Sequence, residues 1–347
     1  MSKLKLIQCG VGGHGRTWLR DVLPRSADFE LVAMMDVSPA ALEAAGAVCG
    51  LPAARRFSTL DAALAAMRAG EFVADALLTV APPAFHLEHA KLAFEQGLHV
   101  ISEKPIADSL ASAKRMVELA AAAGRQLVIS QDYRYRATSQ FMRQLVEGRA
   151  VGEIGHGHLD FYIPADFPGT FRETMRFPLL VDMCIHHVDL IRAILGRNVV
   201  RVTAHSFRPS WSWFEHDPGL KMLLELEGGL PVSYSGDWTA KGKFTGWDGD
   251  WRLQGESGSI LWENAQISIV RCERWRKQLR VEYPDVPTPA LVSFDATLAS
   301  LAEAIRTGKP AATSGVDNLQ SFGTVMAAVA SAQRRCAVEV QEFLAVG

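Results

Sequence analysis

Cysteine is scarce, with five residues in 347, and Cys9, Cys49, Cys184, Cys272 and Cys336 stand far apart. An odd number without any CxxC pair argues against a disulfide framework and a structural zinc site, and points to a reducing cytoplasm. Charge of one sign is not in excess either: 36 Lys and Arg against 38 Asp and Glu leave a formal net charge of -2. That balance gives no general attraction to nucleic acid or to an anionic membrane surface. Long apolar runs are missing too. After Lys3 and Lys5, only Leu4, Leu6 and Ile7 precede Gln8 and a glycine cluster, too short for the apolar core of a signal peptide. No uncharged apolar stretch approaches the roughly 18 residues of a membrane span. Internal repeats and low-complexity linkers are absent.

What remains is a composition of 48% hydrophobic and 21% charged residues, that of a globular protein with a sizeable core. At about 150 residues per domain, the length predicts roughly two domains. Up to about residue 130, short apolar runs alternate with amphipathic stretches. Strands are expected at 3–9, 29–35, 76–80, 99–101 and 127–130, with helices at 39–47, 60–69, 85–96 and 110–123 between them. This alternation predicts a doubly wound parallel sheet in an α/β domain over residues 1–130. From Glu153 the period changes to near two, with expected strands at 154–163, 199–207, 220–226, 232–238, 251–254, 267–272 and 279–283. These predict an α+β second domain over 131–347, with a large, mainly antiparallel open sheet and closing helices at 295–307 and 316–333.

Gly10-Val11-Gly12-Gly13-His14-Gly15 is a GxGxxG between the first strand and a helical segment. Gly10 permits a tight turn, Gly12 lets a pyrophosphate approach the backbone, and Gly15 allows close helix packing. Asp36 closes the second strand, 21 residues after Gly15, where a carboxylate binds adenosine ribose hydroxyls. It repels a 2′-phosphate, and Val37 and Ser38 bring no adjacent cation, so NAD is favoured over NADP; Arg55 and Arg56 temper that preference. Glu103-Lys104-Pro105 follows the 99–101 strand, where the carboxyl ends of such a sheet line the ligand crevice. A lysine there can donate to a substrate oxygen, although the tripeptide alone also reads as an exposed Glu-Lys pair before a turn. Pro82 and Pro83 would form a rigid floor beside the cofactor, and His86 is read as opening the next helix rather than as catalytic.

In the second half, Asp182, His186 and Asp189 recur at i, i+4 and i+7, one face of a regular helix, with His187 turned about 100° away. A carboxylate beside an imidazole orients it and stabilises its cation, as a proton acceptor near neutral pH requires. Spacing alone weighs this equally against a helix cap with two interfacial histidines. A metal is not expected, because no third strong ligand is apparent.

In this order the motifs resemble those of the Gfo/Idh/MocA family of NAD(P)-dependent oxidoreductases over nearly the whole chain. The likeness rests on Gly10 to Gly15, the strand end with His86, Gly97-Leu98-His99-Val100 leading to Glu103-Lys104-Pro105, and Tyr133-Arg134-Tyr135. It continues through Gly152-Glu153-Ile154-Gly155, the Asp182/His186/Asp189 segment, and Ser331-Ala332 before Val338-Glu339-Val340. The resemblance implies an N-terminal Rossmann domain and a C-terminal domain whose open sheet mediates oligomerisation, as a homodimer or homotetramer. It further implies a dehydrogenase acting on a secondary alcohol or ketone of a sugar, cyclitol or polyol. Lys104, Asp182 and His186 form the implied catalytic group, with His186 or, alternatively, Lys104 as the proton acceptor; Gly10, Gly12, Gly13, His14, Gly15, Asp36, Pro82, Glu103 and Lys104 would hold the cofactor. Substrate contacts fall to Tyr133, Arg134, Arg176, Trp211 and Trp213. Two departures stand out: Arg176 to Val181 replaces a glycine-rich stretch, and Ala137 a proline. An NAD-dependent glycosidase using transient oxidation, and a non-catalytic sugar or nucleotide sensor, are the competing readings. Of eight tryptophans, all but Trp18 lie between Trp211 and Trp275, where a buried subunit interface is the use expected for most.

Overall fold

The computed structural model describes residues 2–272 and 279–346. They divide into two compact units, Met1–Tyr135 with Leu291–Leu319, and Arg136–Ala290 with Gln320–Gly347. Among the described residues no helix is long and apolar enough to cross a membrane.

In the first unit, β1 (Leu4–Cys9), β2 (Phe29–Met35), β3 (Arg56–Phe57), β4 (Ala76–Thr79), β5 (His99–Ser102) and β6 (Leu127–Ile129) form one parallel sheet, ordered β3-β2-β1-β4-β5-β6. This is the doubly wound order whose reversal beside β1 leaves a ligand crevice at the strands' carboxyl ends. Helices α1 (Gly13–Thr17), α2 (Pro39–Cys49), α3 (Leu60–Arg68), α4 (His86–Glu95) and α5 (Leu110–Ala123) alternate with the strands. Local signals fix their ends. Ser38 and Ser109 cap α2 and α5 by accepting from Ala41 N and Ser112 N, and Gly50 and Gly124 terminate them at φ of 70° and 61°. Strand β3, only two residues long, carries no periodic signal.

Leu6, Val11, Trp18, Phe29, Leu78 and Ile101 are fully buried in the core of this unit, together with Leu298 and Leu301 from the helix Ser293–Thr307. Residues 291–319 thus return to the first unit, so a single cut near residue 130 does not describe the compact units. Strand period reports where a new sheet begins. A helix's apolar stripe does not report which sheet it covers.

In the second unit, α6 (Ala137–Glu147) leads into β7 (Ile154–Tyr162), and α7 (Cys184–Leu195) follows. Then come β8 (Val199–Phe207), β9 (Gly219–Leu226), β10 (Leu230–Asp237), β11 (Asp250–Gly255), β12 (Gly258–Glu263), β13 (Gln266–Cys272), β14 (Leu279–Glu282) and β15 (Val338–Glu339). The nine strands are ordered β14-β13-β12-β11-β7-β10-β9-β8-β15 and pair antiparallel except for β7 with β10. Strand β12 was not among the expected strands.

The tryptophans require a correction. Trp238, Trp251 and Trp262 are at most 2% exposed within the single chain, and Trp251 and Trp262 stack at 5.9 Å. They fill the unit's own core, because their cross-strand registry puts both rings on the covered face of the sheet. Trp211, Trp213 and Trp247 are partly exposed; Trp275 lies outside the described residues.

Candidate functional site

The turn from β1 into α1 is built by glycines with different reasons. Gly10 has φ +83°, and a side chain there would meet the Val80 and Ala81 backbone at 2.8 Å. A Cβ on Gly15 would overlap the Gly10 carbonyl oxygen. Gln8 Nε2 ties the turn by donating to the carbonyls of Gly10 (3.1 Å) and Gly15 (2.9 Å). Gly12 and Gly13 differ: a Cβ on either would meet no atom within 4 Å, so the backbone there faces open space. Such a bare glycine turn at a helix start is the surface on which a pyrophosphate rests.

At the end of β2, the Asp36 carboxylate accepts from Val11 N (2.8 Å) and Ser38 N (2.9 Å), one bond to each oxygen. About two acceptor directions of the four in a carboxylate remain for ribose hydroxyls. Arg55 is turned to Glu71 O (2.5 Å) and packs 4.8 Å from the Phe72 ring, and Arg56 donates to Leu51 O (2.8 Å). With both guanidinium groups engaged elsewhere, the carboxylate sets the sign of the pocket. These features fit NAD.

Glu103 follows β5 and is buried. One of its oxygens accepts from His14 Nε2 (3.0 Å) and Trp18 Nε1 (2.9 Å), and the other from Lys104 N (3.2 Å). Burial alone would raise the Glu103 pKa. The hydrogen bond and charge of His14, with Trp18 and Lys104, outweigh it and hold the carboxyl below its usual range. The same hydrogen bond raises the pKa of His14. Pro82 precedes a short turn, and His86 opens α4 completely buried. Tyr133 is buried, and Arg134 is tied to Asp317 (2.6 Å) and to the carbonyl of Ala312 (2.9 Å).

In the second unit the regular-helix geometry expected for Asp182, His186 and Asp189 holds for His186 and Asp189, both in α7, and not for Asp182. Asp182 belongs to a wider π-helical turn, Leu179–Met183, that precedes α7, so i, i+4 spacing no longer sets one face between it and His186. Phe177, at φ +52° in the stretch that lacks glycines, leads into this turn through Pro178. Asp189 is buried and accepts from Ser321 Oγ (2.6 Å). Asp182 is engaged by Arg172, whose Nε lies 2.6 Å from its carboxylate and whose guanidinium packs 4.9 and 4.7 Å from the rings of Phe167 and Phe171. Arg172 lies in a segment without periodicity and had no sequence signal.

His186 and His187 are both buried. His187 donates from Nε2 to Trp247 O (3.0 Å), and Nδ1 accepts from the Tyr234 hydroxyl (3.0 Å). Burial pushes its pKa down to about 4, so it stays neutral and structural. Of the adjacent pair, His186 is thus the candidate proton acceptor. Arg176 is exposed beside Phe177, while Trp211 and Trp213, 53% and 40% exposed, donate their indole N–H groups to Thr239 O (3.0 Å) and Ala165 O (2.9 Å). Lys104 stands in the first unit, and Asp182 and His186 in the second.

Known proteins resemble the chain along its length. Inositol 2-dehydrogenase 3 of Saccharopolyspora erythraea is 27% identical, over 93% of this chain and 92% of its own. A dTDP-3,4-didehydro-2,6-dideoxy-alpha-D-glucose 3-reductase of Streptomyces violaceoruber is 26% identical over 75% and 74%. Among solved structures, an oxidoreductase from Agrobacterium radiobacter, crystallised with NAD+, L-tartaric acid and magnesium, shares the fold with a TM-score of 0.86 at 21% identity, over 98% and 99% of the two chains. Residues 4–131 match the model of an oxidoreductase family with an NAD-binding Rossmann fold, and residues 139–261 match the GFO/IDH/MocA C-terminal domain. The open glycine turn, the anchored Asp36 and these two consecutive matches place the chain in the Gfo/Idh/MocA family of NAD-binding oxidoreductases.

Proposed function

We propose that the chain interconverts a secondary alcohol and the corresponding ketone on a sugar, cyclitol or related polyol, using NAD. The observation that carries the redox half is the glycine turn open over Gly12 and Gly13 beside an Asp36 held by two backbone N–H groups. The names of the inositol and deoxysugar relatives support the substrate class. Gly10, Gly12, Gly13, His14 and Gly15 would hold the pyrophosphate, Asp36 the adenosine ribose, and Pro82, Glu103 and Lys104 the remainder of the cofactor. When bound, NAD supplies the hydride acceptor. His186 takes the hydroxyl proton as the carbon–oxygen double bond forms; Asp182, itself held by Arg172, orients and supports the imidazolium. Lys104 donates a hydrogen bond to the developing oxyanion. Tyr133, Arg134, Arg176, Trp211 and Trp213 contact the substrate.

The exposed apolar residues Leu279, Val281 and Tyr283 at the β14 edge support self-association through the large sheet as a homodimer or homotetramer. Five free thiols suit the reducing cytoplasm. A screen of inositols, sugars and polyols for NAD reduction identifies the substrate. With it, Lys104→Ala and His186→Ala each lower kcat by roughly 10²–10⁴-fold, and the NAD Kd of His186→Ala stays within about twofold. Near-normal turnover in both variants overturns the assignment.

A further inference from the structure

His86 has an unusual set of partners. Its Nε2 lies 2.8 Å from the carbonyl oxygen of Ala81, just past β4, and its Nδ1 lies 3.1 Å from the carbonyl of Pro105 and 3.3 Å from that of Ile106. Carbonyl oxygens only accept, and a neutral imidazole carries one N–H. A neutral ring therefore bonds one of its two sides, whereas an imidazolium bonds both. The two sides are not equivalent for the site: Pro105 and Ile106 directly follow Lys104, so the Nδ1 side grips the loop that presents the lysine.

We propose that His86 is a positioning residue for Lys104: the neutral ring ties α4 to the end of β4 through Ala81, and the imidazolium also fastens the Lys104 loop. The proposal rests on the role given to Lys104 above. In the neutral ring the single proton is assigned to Nε2, the nitrogen with the shorter contact. The unprotonated Nδ1 of that neutral ring faces the two carbonyls without a bond to either.

The groups around the ring set the direction of its titration. Burial favours the neutral form and dominates, the carbonyls of Ala81, Ile106 and Pro105 and the charge of Glu103 oppose it, and the pKa lies below its ordinary 6.5. On α4 itself, His89 bonds Thr79 Oγ1 at 2.9 Å and is pushed down to about 4 by burial, then by the charge of His86, so it adds no charge near neutrality. On the facing loop, Lys104 is half-buried and Asp108 exposed. The extra bond therefore forms as pH falls below 6.5 and is released as pH rises.

Two measurements on the full-length chain test this. Long-range proton–nitrogen NMR of histidine-labelled protein is expected to show His86 with its proton on Nε2 at pH 8 and with both nitrogens protonated in acid. A proton on Nδ1 with Nε2 bare at pH 8 overturns the proposal, as does a ring with no second protonation down to the acid limit of folding. In kinetics, the ratio of wild-type to His86→Gln kcat/KM is expected to rise as pH falls through the His86 transition, by about tenfold, part of the ~10²-fold that a 1 Å misplacement costs. A ratio independent of pH overturns the proposal, since a purely structural histidine would lower activity equally at every pH. If His86→Gln does not fold, the wild-type ring titration decides. Near-normal turnover in Lys104→Ala would sink the role of the lysine yet leave the ring titration untouched, so the two failures are distinguishable.

Discussion

At the scale of single residues, the glycine turn, Asp36 and Glu103-Lys104 were legible because their chemistry depends on residue type at fixed local spacing. The partners were not. Trp18 and His14 reach Glu103 across 85 and 89 residues of chain, and Arg172 finds Asp182 across a segment with no pattern. The His14–Glu103 pair makes a pH prediction. Glu103, its pKa lowered, stabilises the fold above the ordinary carboxylate value and loses that contribution as pH falls through its folded value. His14, its pKa raised, contributes below its ordinary value and loses that contribution as pH rises through its folded value. The pair is therefore worth most between about pH 4.3 and 6.5. Thermal melts should show the largest Tm gap between wild type and His14→Ala in that window and a smaller gap at pH 3 and pH 9. A gap constant with pH would mean that only the packing of His14 on Phe294, at 5.5 Å, matters.

At the scale of elements, the β1–α1 turn separates folding from binding within one motif. Gly15→Ala forces a methyl onto the Gly10 carbonyl oxygen, a backbone atom that cannot swing away, and should cost about 1–3 kcal/mol of stability. Gly12→Ala meets no protein atom within 4 Å and should leave Tm nearly unchanged while weakening NAD binding, because its methyl occupies the open side of the turn. Melting curves and calorimetric NAD titrations of the two variants check this; equal losses of Tm would refute the division. The site segment of the second unit shows the limit of element prediction. Asp182, His186 and Asp189 have helical spacing, yet Asp182 lies in the π turn at Leu179–Met183, whereas His186 and Asp189 lie in α7, where Asp189 accepts from Ser321. A change of helical pitch depends on what packs against the turn, and periodicity assumes a fixed pitch.

At the scale of the molecule, nine strands present a wide sheet whose β14 edge carries exposed Leu279, Val281 and Tyr283. Light scattering on a sizing column should give two or four times the mass of one chain, and Val281→Glu should shift the population toward the smaller species with NAD binding retained. A monomer in wild type would remove the proposed subunit role of this sheet. The sequence by itself determined the parallel and antiparallel sheets, the glycine turn and the acidic end of β2, because these follow from period, turn chemistry and charge within a few residues. Only the tertiary structure decided that Ser293–Thr307 covers the first sheet, that Trp238, Trp251 and Trp262 fill the second unit's core, and that Arg172 holds Asp182. Each of these is a contact between residues distant in the chain, chosen by which apolar faces and unpaired charges the fold leaves to be satisfied.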